Sequence, residues 1–381
     1  MSAPLNTLGM VAGEASGDLL ASLVLAGVKR RWPQSHCMGI GGPRMAEQGF
    51  EAWWPHERLA VRGYIEVLRH YKGIVGIRNE LKARWLAHPP QVFVGVDAPD
   101  FNLSLAQSLR EAGVPTVQMV CPSIWAWRPE RVSTLRRSVD HVLCLFPFEP
   151  DLLRQHGVAA TYVGHPLAQA IPLHPDRMAA RARLGLPSDA RVLALLPGSR
   201  ASEIQYLAER FVRTALLLTQ RHPGLQCVLP AVPSLKTRLD ALVQRLGAGA
   251  CVRVLSGQSH DALAACDLTL VASGTATLEA ALFKRPMVIA YNMHWLSWQL
   301  MRRQRLQPWV GLPNILLQDM VVPELLQEQA TPEAMAQALQ HWLNSPQQVL
   351  DLQQRFEQLH LTLTRDTPSL VTDAIQEILE R

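Results

Sequence analysis

Short apolar segments separated by amphipathic stretches dominate this chain, and the pattern runs through it twice. In the first half, the segments that predict strands are residues 8–12, 36–40, 92–96, 116–120 and 139–144. In the second half, they are residues 192–196, 226–229, 252–255, 268–272 and 287–291. Strands that alternate with helices in this way form parallel sheets with helices on both faces. The sequence therefore predicts an α/β protein with two Rossmann-like, doubly wound lobes.

The length of 381 residues agrees with two domains, because a single core seldom extends beyond about 250–300 residues. Three prolines within residues 164–176 interrupt the pattern and predict the interdomain linker. We expect an N-terminal domain over residues 1–165 and a C-terminal domain over residues 166–345. Cap residues followed by proline mark helix starts near the C-terminus. Residues 346–381 are therefore predicted to be helical and to pack on the N-terminal lobe or on a partner subunit.

Composition narrows the class of protein. Hydrophobic residues make up 48% of the chain and charged residues only 18%, which excludes disorder, coiled coil and collagen. The net charge of +5 admits nucleic acid, anionic lipid or a phosphorylated small molecule as a partner. The six cysteines lack the spacing of a zinc site and are expected to be buried, reduced thiols.

The location of the protein is also predicted from the sequence. The N-terminus has no basic region of the kind that opens a signal peptide. No uncharged window reaches the roughly 20 residues that a membrane-spanning helix needs. These features predict a cytoplasmic protein.

The basic excess is concentrated in residues 61–85, which carry six basic and two acidic side chains, a net charge of +4. Apolar residues recur there at helical spacing, which is typical of a helix at a membrane surface. The candidate membrane-surface residues are Arg62, Leu68, Arg69, Lys72 and Val75. A solvated helix face over the core is the alternative.

Two groups of tryptophans occur beside arginines. The first comprises Trp125, Trp127 and Arg128, and the second comprises Trp295, Trp298, Arg302, Arg303 and Arg305. Neighbouring indole and guanidinium groups suit a lipid headgroup interface, where the ring is partly hydrated and the cation pairs with phosphate. A tryptophan taken singly more often fills a core.

Two loops of the second half connect a predicted strand to a predicted helix, as phosphate-binding loops do. Their candidate nucleotide contacts are Gly198, Ser199, Arg200, Ser273, Gly274, Thr275 and Glu279. Backbone N–H groups at a helix N-terminus and a guanidinium bind anions, and Glu279 can accept hydrogen bonds from ribose. The alternatives are ordinary turns, with Arg200 exposed and Glu279 complementing the helix dipole.

Further candidate ligand contacts lie in the first half. Asp97 and Asp100 follow the strand at residues 92–96, at the end where open α/β sheets bind ligands. Asp97 is a candidate general base, whereas Asp100 fits the capping position of the next helix. The glycine-containing loop at residues 13–18 is not a Walker A loop and suits a hydroxyl-rich or acyl ligand. No Asp-x-Asp occurs in the chain, which argues against a metal–diphosphate site.

Together these motifs resemble those of the lipid-A-disaccharide synthases, glycosyltransferases of Gram-negative outer-membrane lipid synthesis. The resemblance extends over nearly the whole chain and rests on residues 11–18, 93–102, 122–128, 195–200, 272–279 and 312–314. It implies a GT-B fold, in which two Rossmann-like lobes face a cleft. The N-terminal domain is then expected to face the acceptor and the lipid, and the C-terminal domain to bind UDP.

The resemblance also implies a reaction. UDP-2,3-diacylglucosamine and 2,3-diacylglucosamine 1-phosphate (lipid X) give the β-1,6-linked disaccharide 1-phosphate and UDP. Because the donor is α-linked and the product β-linked, the displacement inverts the anomeric carbon. Asp97 would take the proton from the primary hydroxyl of the acceptor, and no metal cofactor is expected.

Further residue roles and partners follow from the same resemblance. Asn314 is assigned to nucleotide binding, and the acceptor or acyl-sugar candidates are Glu14, Ser16, Gly17, Asp100, Asn102, Trp125 and Arg128. The implied partners are the two lipid substrates, the anionic cytoplasmic face of the inner membrane and a second copy of the chain, but not nucleic acid. Arg62 stands where the family often has an apolar residue. This difference concerns the surface that would face the membrane and not the chemistry of the reaction.

Two other functions suit a two-lobe fold. A UDP-sugar 2-epimerase needs a nucleotide lobe but no lipid surface, so the tryptophan-rich motifs and the basic window count against it. A non-catalytic two-lobe binding protein needs neither an acceptor site nor a base, and the missing export signal argues against the periplasmic version.

Overall fold

The computed structural model describes residues 4–59 and 64–380, with side chains except at residues 64–71, 296, 297 and 300. Contacts within the chain divide it into two compact units. The first comprises Met1–Pro166 together with Leu363–Arg381, and the second comprises Leu167–Thr362. Each unit contains one parallel sheet with helices, which confirms the predicted α/β class with two doubly wound lobes.

Seven parallel strands form the sheet of the first unit: β1 (Thr7–Ala12), β2 (His36–Gly41), β3 (Glu51–Pro55), β4 (Val92–Val96), β5 (Thr116–Met119), β6 (His141–Cys144) and β7 (Ala160–Tyr162). The helices between them are α1 (Ala15–Arg31), α2 (Pro43–Ala46), α3 (Tyr64–Ala87), α4 (Pro99–Glu111), α5 (Arg131–Ser138) and α6 (Glu149–Gln155). The strand order is β3-β2-β1-β4-β5-β6-β7. The order reverses between β1 and β4, and ligands bind at the carboxyl ends of strands at such a switch point.

Six parallel strands form the sheet of the second unit: β8 (Val192–Leu196), β9 (Gln226–Ala231), β10 (Val252–Ser256), β11 (Leu268–Ala272), β12 (Met287–Tyr291) and β13 (Glu324–Leu326). The helices from residue 166 onward are α7 (Pro166–Ala170), α8 (Arg177–Arg183), α9 (Ala201–Arg221), α10 (Pro233–Arg245), α11 (Ser259–Ala265), α12 (Thr275–Leu282), α13 (Trp295–Gln304), α14 (Leu312–Leu317), α15 (Pro332–Asn344), α16 (Pro346–Leu363) and α17 (Thr367–Leu379). The strand order is β10-β9-β8-β11-β12-β13, with the switch point between β8 and β11.

All ten predicted strands are present, and three further strands are not predicted by the apolar pattern. These are β3, β7 and β13, which lie at edges of the two sheets. Their residues are half-buried or exposed, whereas β1, β4 and β8 are almost wholly buried. An edge strand needs no continuous apolar run, so this signal is missing from its sequence.

The C-terminal helices divide between the two units. The sequence predicts that the helices of residues 346–381 pack together on the N-terminal lobe or on a partner subunit. In the structure, α16 belongs to the second unit up to Thr362, whereas α17 belongs to the first. There α17 packs on α1, and Val371 and Ile375 are buried in the same core cluster. A Cβ at Gly27 of α1 would collide with the carbonyl oxygen of Pro368, so glycine permits this close helix approach.

The carboxylate of Asp18 in α1 is expected to contribute strongly to stability. Asp18 is 2% exposed and accepts hydrogen bonds from the N–H groups of Gly42 (2.9 Å), Arg44 (3.0 Å) and Met45 (3.1 Å) at the start of α2. Asp18→Ala leaves these donors without their acceptor, so we expect the free energy of unfolding to fall by about 2–4 kcal/mol in urea denaturation. The control is Asp151→Ala, which removes an exposed carboxylate paired with Arg154 and should cost less than about 0.5 kcal/mol. Equal losses in the two variants would contradict the capping role.

Candidate active site

A cavity of about 380 Å³ opens at the carboxyl ends of β8, β9 and β11 in the second unit. Its lining residues are Leu196, Gly198, Ser199, Arg200, Glu203, Pro230, Ala231, Val232, Gly257, Ser259, Ala272, Ser273, Gly274, Thr275, Ala276 and Glu279. All seven nucleotide contacts predicted from the two loops are among them. The structure therefore brings both loops to one cavity at the switch point of the sheet.

The first loop connects β8 to α9 and is held by Glu203. Gly198 has a φ of +122°, and a Cβ there would collide with the Glu203 carboxylate, which favours glycine. The Oε2 atom of Glu203 accepts hydrogen bonds from the N–H groups of Ser199 (2.9 Å) and Arg200 (3.2 Å). These N–H groups, predicted as phosphate donors, are therefore bound by a carboxylate of the protein itself.

Side chains rather than amides remain available to an anion at this loop. The Arg200 side chain is 67% exposed, with one contact of 3.4 Å from Nη1 to Glu203 Oε1. Ser199 is also exposed at the cavity wall. A phosphate group at this position would meet the Arg200 guanidinium and the Ser199 hydroxyl.

The second loop connects β11 to α12. The Ser273 hydroxyl donates to the carbonyl oxygen of Val310 (2.9 Å), so this side chain positions the loop. Gly274 has a φ of +143° and open space where a Cβ would lie, and Thr275 begins the helix. The first N–H groups of a helix lack intrahelical acceptors and carry the positive end of its dipole. The loop thus presents main-chain donors to the cavity.

Glu279 lies one turn into α12, with its side chain 21% exposed. Burial raises the pKa of this carboxyl, and His260, whose Nε2 lies 3.8 Å from Oε2, lowers it. A half-buried carboxylate on a cavity wall is a suitable acceptor for hydroxyl groups.

The side chain of Asn314, which the sequence predicts to contact a nucleotide, is hydrogen-bonded to the protein. Its side chain is fully buried, and Nδ2 donates to Val322 O (2.9 Å) and to Glu324 Oε1 (2.9 Å). Its Oδ1 accepts from the Val322 N–H (3.0 Å). Glu324 in turn accepts from the N–H groups of Val310 and Gly311 (both 2.9 Å). This network fixes the segment around Val310, whose carbonyl oxygen accepts a hydrogen bond from the Ser273 hydroxyl. Asn314 is not among the residues lining the cavity.

Several lining residues were missed by sequence reasoning. Pro230 and Ala231 end β9 and Val232 follows it, whereas Gly257 and Ser259 follow β10. Their position after predicted strands could have identified them, because the carboxyl ends of neighbouring parallel strands meet at one edge of a sheet. Glu203 carried a signal as well, since it stands at the third position of a helix that follows a glycine-containing loop.

In the first unit, Asp97 follows β4 beside the switch point of the sheet. Burial raises the pKa of its carboxyl, a hydrogen bond from the Ala98 N–H lowers it, and the charge of Glu14 raises it. Asp97 and Ala98 are both left-handed, with φ values of +52° and +41°. Strained backbone of this kind clusters at functional sites, and Asp97 therefore stays a candidate base.

The glycine-containing loop after β1 lies beside this turn. A Cβ at Gly13 would lie 3.0 Å from the Ala98 Cβ. Glu14 is half-buried at the N-cap of α1, and Ser16 is exposed in the first turn of that helix. Gly17 is buried, and a Cβ there would lie 3.6 Å from the Ala12 Cβ, so it faces the sheet. Glu14 and Ser16 therefore remain candidates for ligand contact, and Gly17 is a packing residue.

Two polar residues that follow Asp97 contact the protein. The exposed Asp100 carboxylate pairs with Arg131 Nη2 (2.8 Å) and forms no side-chain cap on α4. Asn102 is fully buried, and its Nδ2 donates to the Asp97 carbonyl oxygen (2.8 Å). Asn102, predicted as an acceptor contact, is therefore bound to the main chain.

The first tryptophan group divides between core and surface. Trp125 is 8% exposed, and its Nε1 donates to Glu149 Oε1 (3.0 Å). Glu149 is buried, and that burial raises its pKa to about 7. Trp127 is 40% exposed, and the Arg128 guanidinium lies 4.4 Å from the centre of its ring. Trp125 is thus a core residue, and Arg128 with Trp127 forms the accessible part of the motif.

The predicted membrane-surface residues lie in or before α3. Arg62 is outside the described residues, as are the side chains of Leu68 and Arg69. Lys72 is exposed and Val75 is half-buried. The stripe formed by Ile74, Ile77, Leu81 and Trp85 packs on the core, as the alternative interpretation of this helix requires.

The structure also describes the cysteines and the length of the helices. The six cysteines are free thiols, five of them buried and Cys251 half-buried. Among the helices that the structure describes, none has both the length and the apolar character that a membrane span needs.

Two doubly wound parallel-sheet units, one of them with a cavity formed by strand–helix loops, define the GT-B class of glycosyltransferase-like folds. Solved structures of that class are similar over the whole chain. A glycosyltransferase from Rickettsia africae ESF-5 has a TM-score of 0.60 and 11% identity, covering 99% of both chains. A UDP-GlcNAc 2-epimerase from Neisseria meningitidis has a TM-score of 0.62 and 10% identity, covering 99% of this chain and 100% of that one. At such identities the likeness shows the fold alone.

The chain belongs to the lipid-A-disaccharide synthetase family, whose model matches residues 8–375. The lipid-A-disaccharide synthase of Verminephrobacter eiseniae (strain EF01-2) is 60% identical over 384 residues, covering 100% of this chain and 98% of that protein. The enzyme of the same name from Bordetella pertussis is 51% identical, covering 98% of both chains. Membership makes the protein a glycosyltransferase of lipid A disaccharide formation.

Proposed function

We propose that the protein condenses UDP-2,3-diacylglucosamine with 2,3-diacylglucosamine 1-phosphate (lipid X) into the β-1,6-linked disaccharide 1-phosphate, with release of UDP. One observation carries this proposal: in a chain of this family, both predicted nucleotide loops and Glu279 line a single cavity. The acceptor oxygen attacks the anomeric carbon on the face opposite UDP. The bond from that carbon to the diphosphate breaks, its electron pair leaves with UDP, and the α-linked donor gives a β-linked product.

The nucleotide end of this proposal uses the second unit. The Arg200 guanidinium, the Ser199 hydroxyl and the N-terminus of α12 bind the diphosphate and stabilise the charge that develops on the leaving group. Glu279 accepts hydrogen bonds from the ribose hydroxyls. The cavity volume of about 380 Å³ is within the range of small-molecule sites.

The acceptor end uses the first unit, where Asp97 takes the proton from the primary hydroxyl of lipid X. A base works best when its pKa lies near the working pH. Burial moves the pKa of Asp97 in that direction from its ordinary value, and the nearby Glu14 adds to the effect. Glu14 and Ser16 are the neighbouring groups proposed to contact the acceptor.

The test is an incubation of purified protein in detergent with radiolabelled UDP-diacylglucosamine, with and without lipid X. We expect labelled disaccharide and UDP in the complete mixture, and neither product when lipid X is omitted. The disaccharide should show the anomeric proton coupling of a β linkage. A separate incubation contains UDP-GlcNAc as the only substrate. Conversion of UDP-GlcNAc there, with no disaccharide in the first mixture, would instead favour a 2-epimerase.

We propose in addition that the enzyme is peripheral at the cytoplasmic face of the inner membrane, where its acylated substrates reside. Residues 286–318 contain three charged side chains, all of them arginines at α13 or directly after it. Arg302 and Arg303 are exposed, as are Trp295 (62%) and Leu306 (52%). Exposed apolar groups beside cations are complementary to an anionic lipid surface.

Replacing Arg302 and Arg303 by Glu is expected to lower the affinity for phosphatidylglycerol-containing vesicles by at least about 30-fold, because each basic residue near such a surface contributes about 1 kcal/mol. Vesicle sedimentation measures the change. The control replaces Arg221 and Arg238, which are exposed elsewhere in the second unit, by Glu with the same change in net charge. Equal weakening by both pairs would show an effect of net charge alone, and no weakening would move the membrane surface away from α13.

A further inference from the structure

We infer that Gln118 and Asn102 form an amide clamp that positions Asp97 for proton transfer, with Gln118 as a positioning residue of the reaction. This inference rests on the proposed function, in which Asp97 is the base. Gln118 lies within β5, and Asn102 lies in α4. Their side chains are 1% and 0% exposed, so neither can reach a ligand in solvent.

Both amides donate to the same carbonyl oxygen. The Nε2 atom of Gln118 donates to Asp97 O (3.0 Å) and to Met119 O (3.1 Å). The Nδ2 atom of Asn102 donates to Asp97 O (2.8 Å) and to Val96 O (3.3 Å). The peptide group that follows Asp97 is thus held from a neighbouring strand and from the next helix.

The clamped peptide group lies in a conformation that residues with a Cβ seldom adopt. Asp97 and Ala98 are consecutive left-handed residues, and Val120, directly after the adjacent β5, has a φ of +75°. Left-handed backbone is especially unfavourable for a β-branched residue such as valine. Such strain persists where the surrounding structure over-determines it, and the two amides supply that restraint.

Each of the two amides is paired with the protein through its nitrogen only. In the described part of the chain, the amide oxygens of both residues, Gln118 Oε1 and Asn102 Oδ1, are buried and have no hydrogen-bond partner within the protein. A buried amide whose oxygen is unpaired is costly, whereas an apolar side chain of the same size has no such cost. The two amides have one property in common: the nitrogen of each donates a hydrogen bond to the carbonyl oxygen of Asp97.

Gly95 makes room for the clamp. A Cβ at this position would lie 2.9 Å from both Gln118 Oε1 and the Asn102 Cβ. Any larger residue therefore displaces one amide or both. Gly95, Asn102 and Gln118 consequently act as one unit, and a fixed peptide group at Asp97 presents its carboxylate in the same place in every turnover.

The test uses Gln118→Met, which removes the donors at similar side-chain volume. We expect kcat to fall by about 10–100-fold, the loss typical of a misplaced catalytic group. The KM for UDP-diacylglucosamine should stay within about twofold, because the nucleotide contacts lie in the second unit. Hydrogen exchange of the amides at residues 97, 98 and 100–102 should accelerate, which reports the loosened turn without reference to activity.

Gln118→Glu separates the lost hydrogen bond from general damage. Burial raises the pKa of a carboxyl group, so the protonated form of this side chain, which can donate one hydrogen bond to Asp97 O, is favoured as the pH is lowered. We expect it to retain more kcat than Gln118→Met and to lose that advantage as the pH rises. The control is Gln376→Leu, which removes another buried glutamine of the first unit, on α17, and should leave kcat unchanged.

The outcomes are distinct. A wild-type kcat in Gln118→Met, or an equal loss in Gln376→Leu, would overturn the clamp while the wild-type enzyme still made disaccharide. Failure of the wild-type enzyme to make disaccharide would overturn the proposed function, whatever the variants did. If Gln118→Met did not fold, identical pH–kcat profiles of Gln118→Glu and the wild-type enzyme would overturn the clamp.

Discussion

Asp97→Asn is expected to lower kcat by about 10²–10⁴-fold, the range that a general base contributes. The substitution keeps the volume and most hydrogen bonds of the side chain but removes its ability to accept the acceptor's proton. The affinity for UDP should be unchanged, because the candidate UDP contacts line a cavity of the second unit. Steady-state kinetics with radiolabelled donor and calorimetric titration with UDP measure the two effects.

Asp100→Asn is the matched control for this experiment. Asp100 belongs to the same motif and makes an exposed ion pair with Arg131. Exposed ion pairs contribute little, so kcat should stay within about twofold of the wild-type value. Unchanged turnover in Asp97→Asn, or equal losses in both variants, would remove Asp97 from the mechanism.

The pH dependence of Asp97 adds a second signature. The base must be ionised, so kcat should fall as the pH is lowered through the pKa of Asp97, which burial raises above the ordinary value of 3.8. A pKa raised in the folded state means that folding favours the protonated carboxyl, and this stabilisation is lost as the pH rises through that pKa. Ionised Asp97 is therefore unfavourable for stability at neutral pH. Asp97→Asn should unfold at the same or a higher urea concentration than the wild-type protein, which separates lost catalysis from lost folding.

Gly198→Ala is expected to weaken the binding of UDP by about 10–100-fold, which corresponds to the loss of one or two hydrogen bonds to the ligand. The new Cβ would collide with the Glu203 carboxylate, and the φ of +122° is unfavourable for alanine. Glu203 must then release the N–H groups of Ser199 and Arg200, and the loop that presents the Arg200 guanidinium loses its shape. Calorimetric titration with UDP measures the change.

Gly247→Ala is the control for backbone strain. Gly247 also has a positive φ, of +66°, but nothing lies within 4 Å of the position of its Cβ. It belongs to the second unit, outside the cavity. We expect a stability loss of about 1 kcal/mol and unchanged affinity for UDP. Wild-type affinity in Gly198→Ala would show that the Glu203 contact does not shape the nucleotide site.

The sequence motifs identified the region of each site better than the role of each residue. Gly198, Arg200 and Glu279 were predicted from their places after apolar strands, and the structure places all three on one cavity. Asn314 and Trp125 belong to equally recognisable motifs, yet both are buried and hydrogen-bonded to the protein. A motif indicates that a position requires a certain residue type. That requirement can come from a hydrogen bond within the protein as well as from a contact with a ligand.

Glu203 and Gln118 show why the remaining residues could not be assigned. Glu203 binds the N–H groups that its own loop was predicted to offer to phosphate. Gln118 stands in a buried strand and contacts a carbonyl group 21 residues earlier in the chain. No local pattern specifies the partner of such a side chain, because that partner depends on which strand lies next to it.

Local sequence patterns predict the α/β class, ten of the thirteen strands in the described residues and the two loops that line the cavity of the second unit. These features depend on local properties: apolar runs that form buried strands, and glycine or cap residues where strands end. Three features depend instead on the assembled fold. They are the three edge strands, the division of the C-terminal helices between the two units, and whether a polar side chain is hydrogen-bonded to the protein or faces a cavity. Those depend on burial and on hydrogen-bond partners distant in the chain, which are set only when the sheets assemble.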